Sequence, residues 1–331
     1  LKEIYTNKNI FRQLAKDMKQ AYPTLKEEVF YRALVKDLES LELKARIERV
    51  AEVCHQFLPN NYLKSLKILY RFVVNKENRF IYLFLPAFVA KYGQSCFPQS
   101  IKAIRDFTQY SSSEEGVRTF LEQDLKQTLL TMRQWTTSKN IHIRRLASEG
   151  CRPRLPWAKK IPVLIEKPQL MWPILEALKE DREEYIRKSV ANHINDISKD
   201  HPDWIVGKVR RWNLTHPATC WIVKHGMRTL IKQGHKGALE LFGNHNKPLV
   251  RLTNIRWNKK IQLTGVFKFS IDIISTGKKP QPLMIDYTIH FLKKNGEQKP
   301  KVFKLKECTL HPEERLPLKI KYTFKNMTTR K

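Results

Sequence analysis

Two stretches of this chain superpose at a separation of 43 residues. "IHIRRLASEG" at 141–150 and "EYIRKSVANHINDIS" at 184–198 each run an apolar position into two basic or polar ones. "CWIVKHGMRTLIKQG" at 220–234 continues the series 37 residues later, so Arg144, Arg187 and Lys224 correspond. Each stretch carries apolar residues at three and four spacing, the mark of a helix with one buried face. A period near 40 built from helix pairs specifies a HEAT-like α-solenoid, because no pair can cover its own apolar face and each must stack on the next. The same texture runs from about residue 8 to 243, in about 14 segments with short turns and no convincing strand.

Near 245 the period changes from 3.6 to two. "PLVRLTNIRW", "IQLTGVFKFSIDIIS", "PLMIDYTIHFLKK", "KVFKLKECTL" and "LPLKIKYTF" alternate apolar with polar residues and are separated by turns such as "TGKKPQP" and "KNGEQKP". The expected architecture is therefore a helical domain at 1–244 followed by a small antiparallel β-sandwich at 245–331. A sandwich of that type needs about seven strands, and only five can be read. We therefore expect the β domain to be incomplete, with the chain continuing past Lys331 after the basic tail "KNMTTRK".

Charge narrows the function. Lys and Arg total 62 against 32 Asp and Glu, a formal +30. From 245 onward there are 20 basic and 6 acidic residues, a net +14. A field of that size suits a polyanion, because each neutralised phosphate releases condensed counterions. Arg144, Arg187 and Lys224, recurring once per repeat, are expected to line the concave face of the solenoid. In the β domain, Lys278 with Lys279 and Lys293 with Lys294 are expected to reach the same duplex. The five cysteines are widely spaced with no CxxC, which speaks against a disulfide framework or zinc knuckle and for a reducing compartment. No HExxH, P-loop or nucleophile elbow occurs.

Acids and tryptophans on the basic scaffold remain as candidate chemistry. "SSSEEGVR" at 111–118 places Glu114 and Glu115 in a first helical turn, where a capping box with Ser111 or Ser112 is the structural alternative. "RPRLPW" at 152–157 is a rigid basic turn ending in Trp157, whose alternative is a core tryptophan. In "SVANHINDISKD", Ile186, Val190, Ile194 and Ile197 form the buried stripe, which groups Asn192, Asn195, Asp196 and Lys199 on another face. His201 and His216 stand in "HP" pairs at helix boundaries, where turn or cap roles are expected.

At these residues the chain resembles a known family. "HIRRLASEGCRPRLPWAKKIP", "YIRKSVANHINDISKDHPD" and "KHGMRTLIKQGHKGALELFG" look like the AlkC family of HEAT-like DNA glycosylases, relatives of the AlkD enzymes, and the β region is similar to the immunoglobulin-like domain some members carry. The resemblance covers nearly the whole helical part. It implies excision of N3-alkylated bases, 3-methyladenine and 3-methylcytosine, by bending the duplex and without a deep pocket for a flipped base. It implies that Glu114, Trp157 and Asp196 approach the deoxyribose of the lesion. The family's "EFAIRPF" reads "EEGVRTF" here, so Glu115 competes with Glu114 for the first role. Arg118, Arg144, Arg152, Arg154, Arg187, Lys224 and Arg228 are the expected DNA-backbone contacts.

The chemistry of such a reaction is consistent with that set. An N3-methylated base leaves readily because it is already cationic, so the barrier lies in positive charge developing on the sugar, which carboxylates and an indole face can stabilise. No metal or cofactor is required, and a monofunctional enzyme that leaves an abasic site is expected. The expected partner is double-stranded DNA containing alkylated bases, met by a cytoplasmic, nucleoid-associated monomer with no membrane and no obligate protein partner. Two rivals share the basic solenoid: a non-catalytic protein that binds bent or damaged DNA, and an RNA-binding solenoid.

Overall fold

The computed structural model describes residues 3–77, 79–243, 247–261, 265–293 and 295–324. Among them are sixteen α-helices: α1 (Lys8–Ala21), α2 (Glu27–Val35), α3 (Leu43–Phe57), α4 (Tyr62–Val73), α5 (Phe84–Tyr92), α6 (Phe97–Phe107), α7 (Glu114–Gln123), α8 (Leu125–Trp135), α9 (Ile141–Glu149), α10 (Pro162–Glu166), α11 (Trp172–Leu178), α12 (Glu184–Ile197), α13 (Pro202–Val209), α14 (Pro217–Gly226), α15 (Arg228–Lys232) and α16 (Lys236–Glu240). The chain divides into two compact units, Leu1–Thr229 and Leu230–Lys331. The change from helix to strand itself falls between Glu240 and Val250. No helix of the described residues is long and apolar enough to cross a membrane.

In the first unit α3 packs on α5 and α5 on α7, while α9 packs on α12 and α12 on α14. This stacking of neighbours is what the repeated apolar stripe requires of a HEAT-like solenoid. The stripe of α12 is buried as its spacing predicts, at Ile186, Val190, Ile194 and Ile197. Close approach needs small residues. A Cβ on Gly226 would lie 2.7 Å from Ile194 Cγ2, and one on Gly150 would lie 2.6 Å from Val117 Cγ1. The first pair seats α14 on α12, and the second brings the end of α9 against α7.

The recurring arginine has a visible structural role. Arg144 is the fourth residue of α9 and donates to the carbonyls of Ser138 and Lys139, six and five residues earlier. Arg187 is the fourth residue of α12 and donates to Asp181 and Arg182 at the same offsets. Arg46, fourth in α3, likewise donates to the Leu41 and Glu39 carbonyls. Each arginine thus satisfies carbonyls of the loop that leads into its own helix, where no ladder can. Lys224 departs from the series. The fourth residue of α14 is Cys220; Lys224, 37 residues after Arg187, is the eighth, one helical turn on, and it is exposed.

Among its described residues the second unit holds five antiparallel strands: β1 (Val250–Trp257), β2 (Val266–Ser275), β3 (Gln281–Leu292), β4 (Gln298–Leu310) and β5 (Arg315–Thr323). They form a three-stranded sheet in the order β1-β2-β5 and a β3-β4 hairpin. Ile273, Leu316 and Leu318 of the sheet share one small core with Leu283 and Leu310 of the hairpin. β1 bulges between Thr253 and Arg256, with Asn254 at φ 53° donating to Asp272. The expectation that the chain runs past Lys331 concerns a tail, 325–331, outside the described residues, as does Lys294.

Candidate active site

The turn after α9 is the organising feature. Residues 150–159 lack a regular ladder, so their carbonyls need partners from elsewhere. Arg118, on α7, supplies them: its guanidinium donates to the carbonyls of Gly150, Arg152 and Lys159 at 2.8–3.1 Å. It is only 4% exposed, and burial lowers its pKa. Arg118 is therefore an interior strut. Four hydrogen bonds of its guanidinium go to backbone oxygens rather than outward.

Two more arginines fasten the turn to α12. Arg152 Nε donates to Asp196 Oδ2 at 2.8 Å, and Arg154 forms a two-pronged pair with Asp200 at 2.6 and 2.9 Å. Asp196 stands in the last turn of α12, and Asp200 lies in the turn that follows the helix end at Ile197. The Arg154 guanidinium holds the Asp200 carboxyl below the usual carboxylate range. From the other side Lys44 of α3 donates to the Trp157 carbonyl. Trp157 itself sits in the left-handed region at φ 67° with 72% of its surface exposed. For a bulky residue that conformation costs on the order of 1–3 kcal/mol. The core-tryptophan alternative is excluded; the indole is held outward.

The two candidate acids lie at the ends of one line of alternating charge. Glu114 begins α7 and accepts through Oε1 from Arg145 Nη1 of α9. Arg145 Nη2 is 3.6 Å from Glu149 Oε1, one helical turn on. Glu149 accepts from Arg152 Nη1 at 2.7 Å and from Ser189 Oγ at 2.6 Å. Arg152 then reaches Asp196, whose other oxygen lies 3.4 Å from Lys199 Nζ. Burial alone would pull the Arg152 guanidinium down, but the Asp196 and Glu149 carboxylates outweigh it and hold it above its ordinary value. Asp196 and Glu114 are buried, at 3% and 4% exposure. Glu114 Oε2 is buried with no hydrogen-bond partner among the described residues. It borders a cavity of about 180 Å³ lined by Phe80, Thr108, Ser111, His142, Arg145 and Tyr185 among others. The Arg145 guanidinium stacks over the Tyr185 ring at 4.7 Å.

The structure separates the neighbouring glutamates. The helix starts at Glu114 with Ser113 as its cap, and no serine side chain closes a capping box. Glu114 turns inward to Arg145, whereas Glu115 is exposed and pairs with Lys44 at 2.5 Å. The expected grouping around Asp196 holds only in part. Asn195 turns away to the Gly226 carbonyl and the Thr229 hydroxyl, and Asn192 accepts from Arg228. The immediate neighbours of the acid are thus cations, not amides.

Among the other expected phosphate contacts, Arg144 is paired with Asp181 at 2.7 Å, and Arg228 donates to the His225 carbonyl at 2.6 Å. Arg187 also lies over the Trp221 ring at 5.9 Å. His201 and His216 stand at the N-caps of α13 and α14, with His201 Nε2 donating to the Ile165 carbonyl. Sequence reasoning missed Lys44, Arg145, Glu149 and Tyr185. The i, i+4 pair Arg145–Glu149, followed by Arg152 three residues on, was the readable signal for two of them. Nothing local marked Lys44, which lies 113 residues from the carbonyl it meets.

Comparison with known proteins places both parts of the chain in known families. Residues 83–220 match the family described as DNA alkylation repair enzyme, and residues 252–331 match the C-terminal Ig-like domain of uncharacterised protein YhaZ. The chain is 41% identical over 333 residues to uncharacterized protein YhaZ of Bacillus subtilis (strain 168), covering 100% of this chain and 92% of that protein. It is 38% identical to the Pseudomonas fluorescens alkylpurine DNA glycosylase AlkC, solved bound to DNA containing an abasic site analog. That match has a TM-score of 0.94 and covers 100% of this chain and 92% of the other.

Proposed function

The chain belongs to the AlkC family of HEAT-like DNA glycosylases, and from that membership we propose that it hydrolyses the N-glycosidic bond of N3-alkylated bases in duplex DNA, 3-methyladenine and 3-methylcytosine. The observation that carries the reading is that one buried charge line joins Glu114 to Asp196 through Arg152, which belongs to the same turn as the outward Trp157.

The bond between C1′ and the base nitrogen breaks with its electron pair leaving on the alkylated base, which departs neutral. Water adds to C1′ and loses a proton, and an abasic sugar remains. Positive charge develops on the deoxyribose as the bond lengthens. Carboxylates fixed in advance in a poorly solvated setting stabilise that charge without reorganising. The indole face adds cation–π attraction, on the order of 1–2 kcal/mol when desolvated. Duplex phosphates compete with Asp196 for Lys199, whose side chain is 41% exposed, and their binding therefore unmasks the acid's charge toward the sugar. No step needs a Lys Schiff base, so the reaction ends at the abasic site.

The test is incubation with methylated duplex DNA and with methylated RNA, followed by detection of released bases. Free 3-methyladenine and 3-methylcytosine, with strands that break only on later alkaline treatment, are the expected result. Tight binding of duplex with no released base would make this an architectural protein, and release or binding confined to RNA would make it an RNA-binding solenoid.

A further inference from the structure

The turn that bears Trp157 is fastened at its shoulders by Arg118, Arg152 and Arg154, yet among the described hydrogen bonds none of these binds Trp157 itself. Lys44 does. It projects from α3, and its Nζ donates to the Trp157 carbonyl while pairing with Glu115 at 2.5 Å. Trp157 is held at φ 67° with its indole exposed. An unrestrained bulky residue in that region relaxes to a negative φ, which would swing the side chain off its present direction.

We propose that Lys44, oriented by Glu115, is a positioning residue for Trp157: an ammonium latch that locks the left-handed backbone and so aims the indole. This rests on the reading of Trp157 as the group that meets the lesion's sugar. Two helices take part: α3 supplies Lys44, and α7 supplies both Glu115, which orients the latch, and Arg118, which holds the turn's other carbonyls. The arrangement explains why adjacent glutamates serve different ends, with Glu114 facing the charge line and Glu115 facing the latch. Lys44 and Glu115 also border a cavity of about 430 Å³ between α3, α5 and α7, so the latch has open space beside it into which a released side chain can move.

The latch predicts coupling. Lys44→Met should lower single-turnover base release by about 10-fold at saturating enzyme, with duplex affinity and its salt dependence unchanged. A lost phosphate contact would instead lower the salt slope by about one. In a Trp157→Ala background the same substitution should change the rate less than about twofold, since residues that act through one another are not additive. Lys44→Arg, which keeps a cationic donor, should recover most of the rate. Acrylamide quenching of the fluorescence that Trp157→Phe removes should change in Lys44→Met and return in Lys44→Arg. Equal losses in both backgrounds, or unchanged quenching, would overturn the latch. If the wild-type protein releases no base, the functional reading fails, while the quenching arm still decides the latch.

Discussion

Arg152 Nε donates to Asp196 Oδ2 at 2.8 Å with both side chains buried. The same guanidinium serves Glu149, so one arginine compensates two carboxylates in the interior. Removing one member of a buried pair leaves an uncompensated charge and costs about 3–5 kcal/mol. Arg152→Ala should therefore lower the urea midpoint at unchanged m-value, well beyond any effect on the salt slope of duplex binding. A variant as stable as wild type, with only a shallower slope, would show that the arginine serves phosphate rather than the fold.

Asp196→Asn keeps size and one acceptor oxygen for Arg152 but removes charge. Base release under single-turnover conditions should fall by about 100-fold or more, the scale of losing one preorganised electrostatic group, with duplex binding retained. Glu114→Gln should behave alike, because its carboxylate also ends the charge line. Glu115→Gln should cost a few-fold at most, since an amide still accepts from Lys44. Reversed phenotypes for the two glutamates would move the first acid to Glu115.

His193 on α12 supplies a pH signature. It is fully buried, Nδ1 donates to the Ser148 carbonyl at 3.0 Å, and Nε2 has no partner among the described residues. Burial first, then the charge of Arg152, pushes its pKa down to about 3 from 6.5. The folded protein thus holds His193 neutral while the unfolded chain takes up a proton below 6.5. Stability is unaffected above that pH and declines as pH falls from 6.5 toward 3, by at most about 1.4 kcal/mol per unit from this group. Denaturant titrations at pH 7, 5.5 and 4.5 should show the decline, and His193→Gln should flatten it. An identical slope in the variant would assign the pH dependence to other groups.

Deletion after Asn246, a position outside the described residues, should leave a folded helical unit that retains Glu114, Trp157 and Asp196. Its duplex affinity and its excision rate at low enzyme concentration should both drop, because the β unit carries much of the positive charge. Equal binding and excision by the truncated and full chains across a range of salt would assign that charge to another purpose.

Periodicity is local, and the features that depend on it were legible in the sequence. Buried stripes spaced by 3.6, alternation at period two, and the 43-residue return of Arg144 at Arg187 follow from residues adjacent in the chain. They suffice for a helical solenoid with a small β unit. Trp157 and Asp196 were legible as candidates as well, because "RPRLPW" and "VANHIND" are continuous motifs. Only tertiary structure decided what each charged group faces. Arg118 reads as a surface cation, yet packing buries it against carbonyls 32 to 41 residues away. Glu114 and Glu115 differ by one position, and about 100° of helix rotation sends one to Arg145 and the other to Lys44. The outward Trp157 and its lysine depend on where α3 stacks relative to the turn. Long side chains choose partners by space rather than by sequence separation, so the charge line and the latch exist only once the helices are packed.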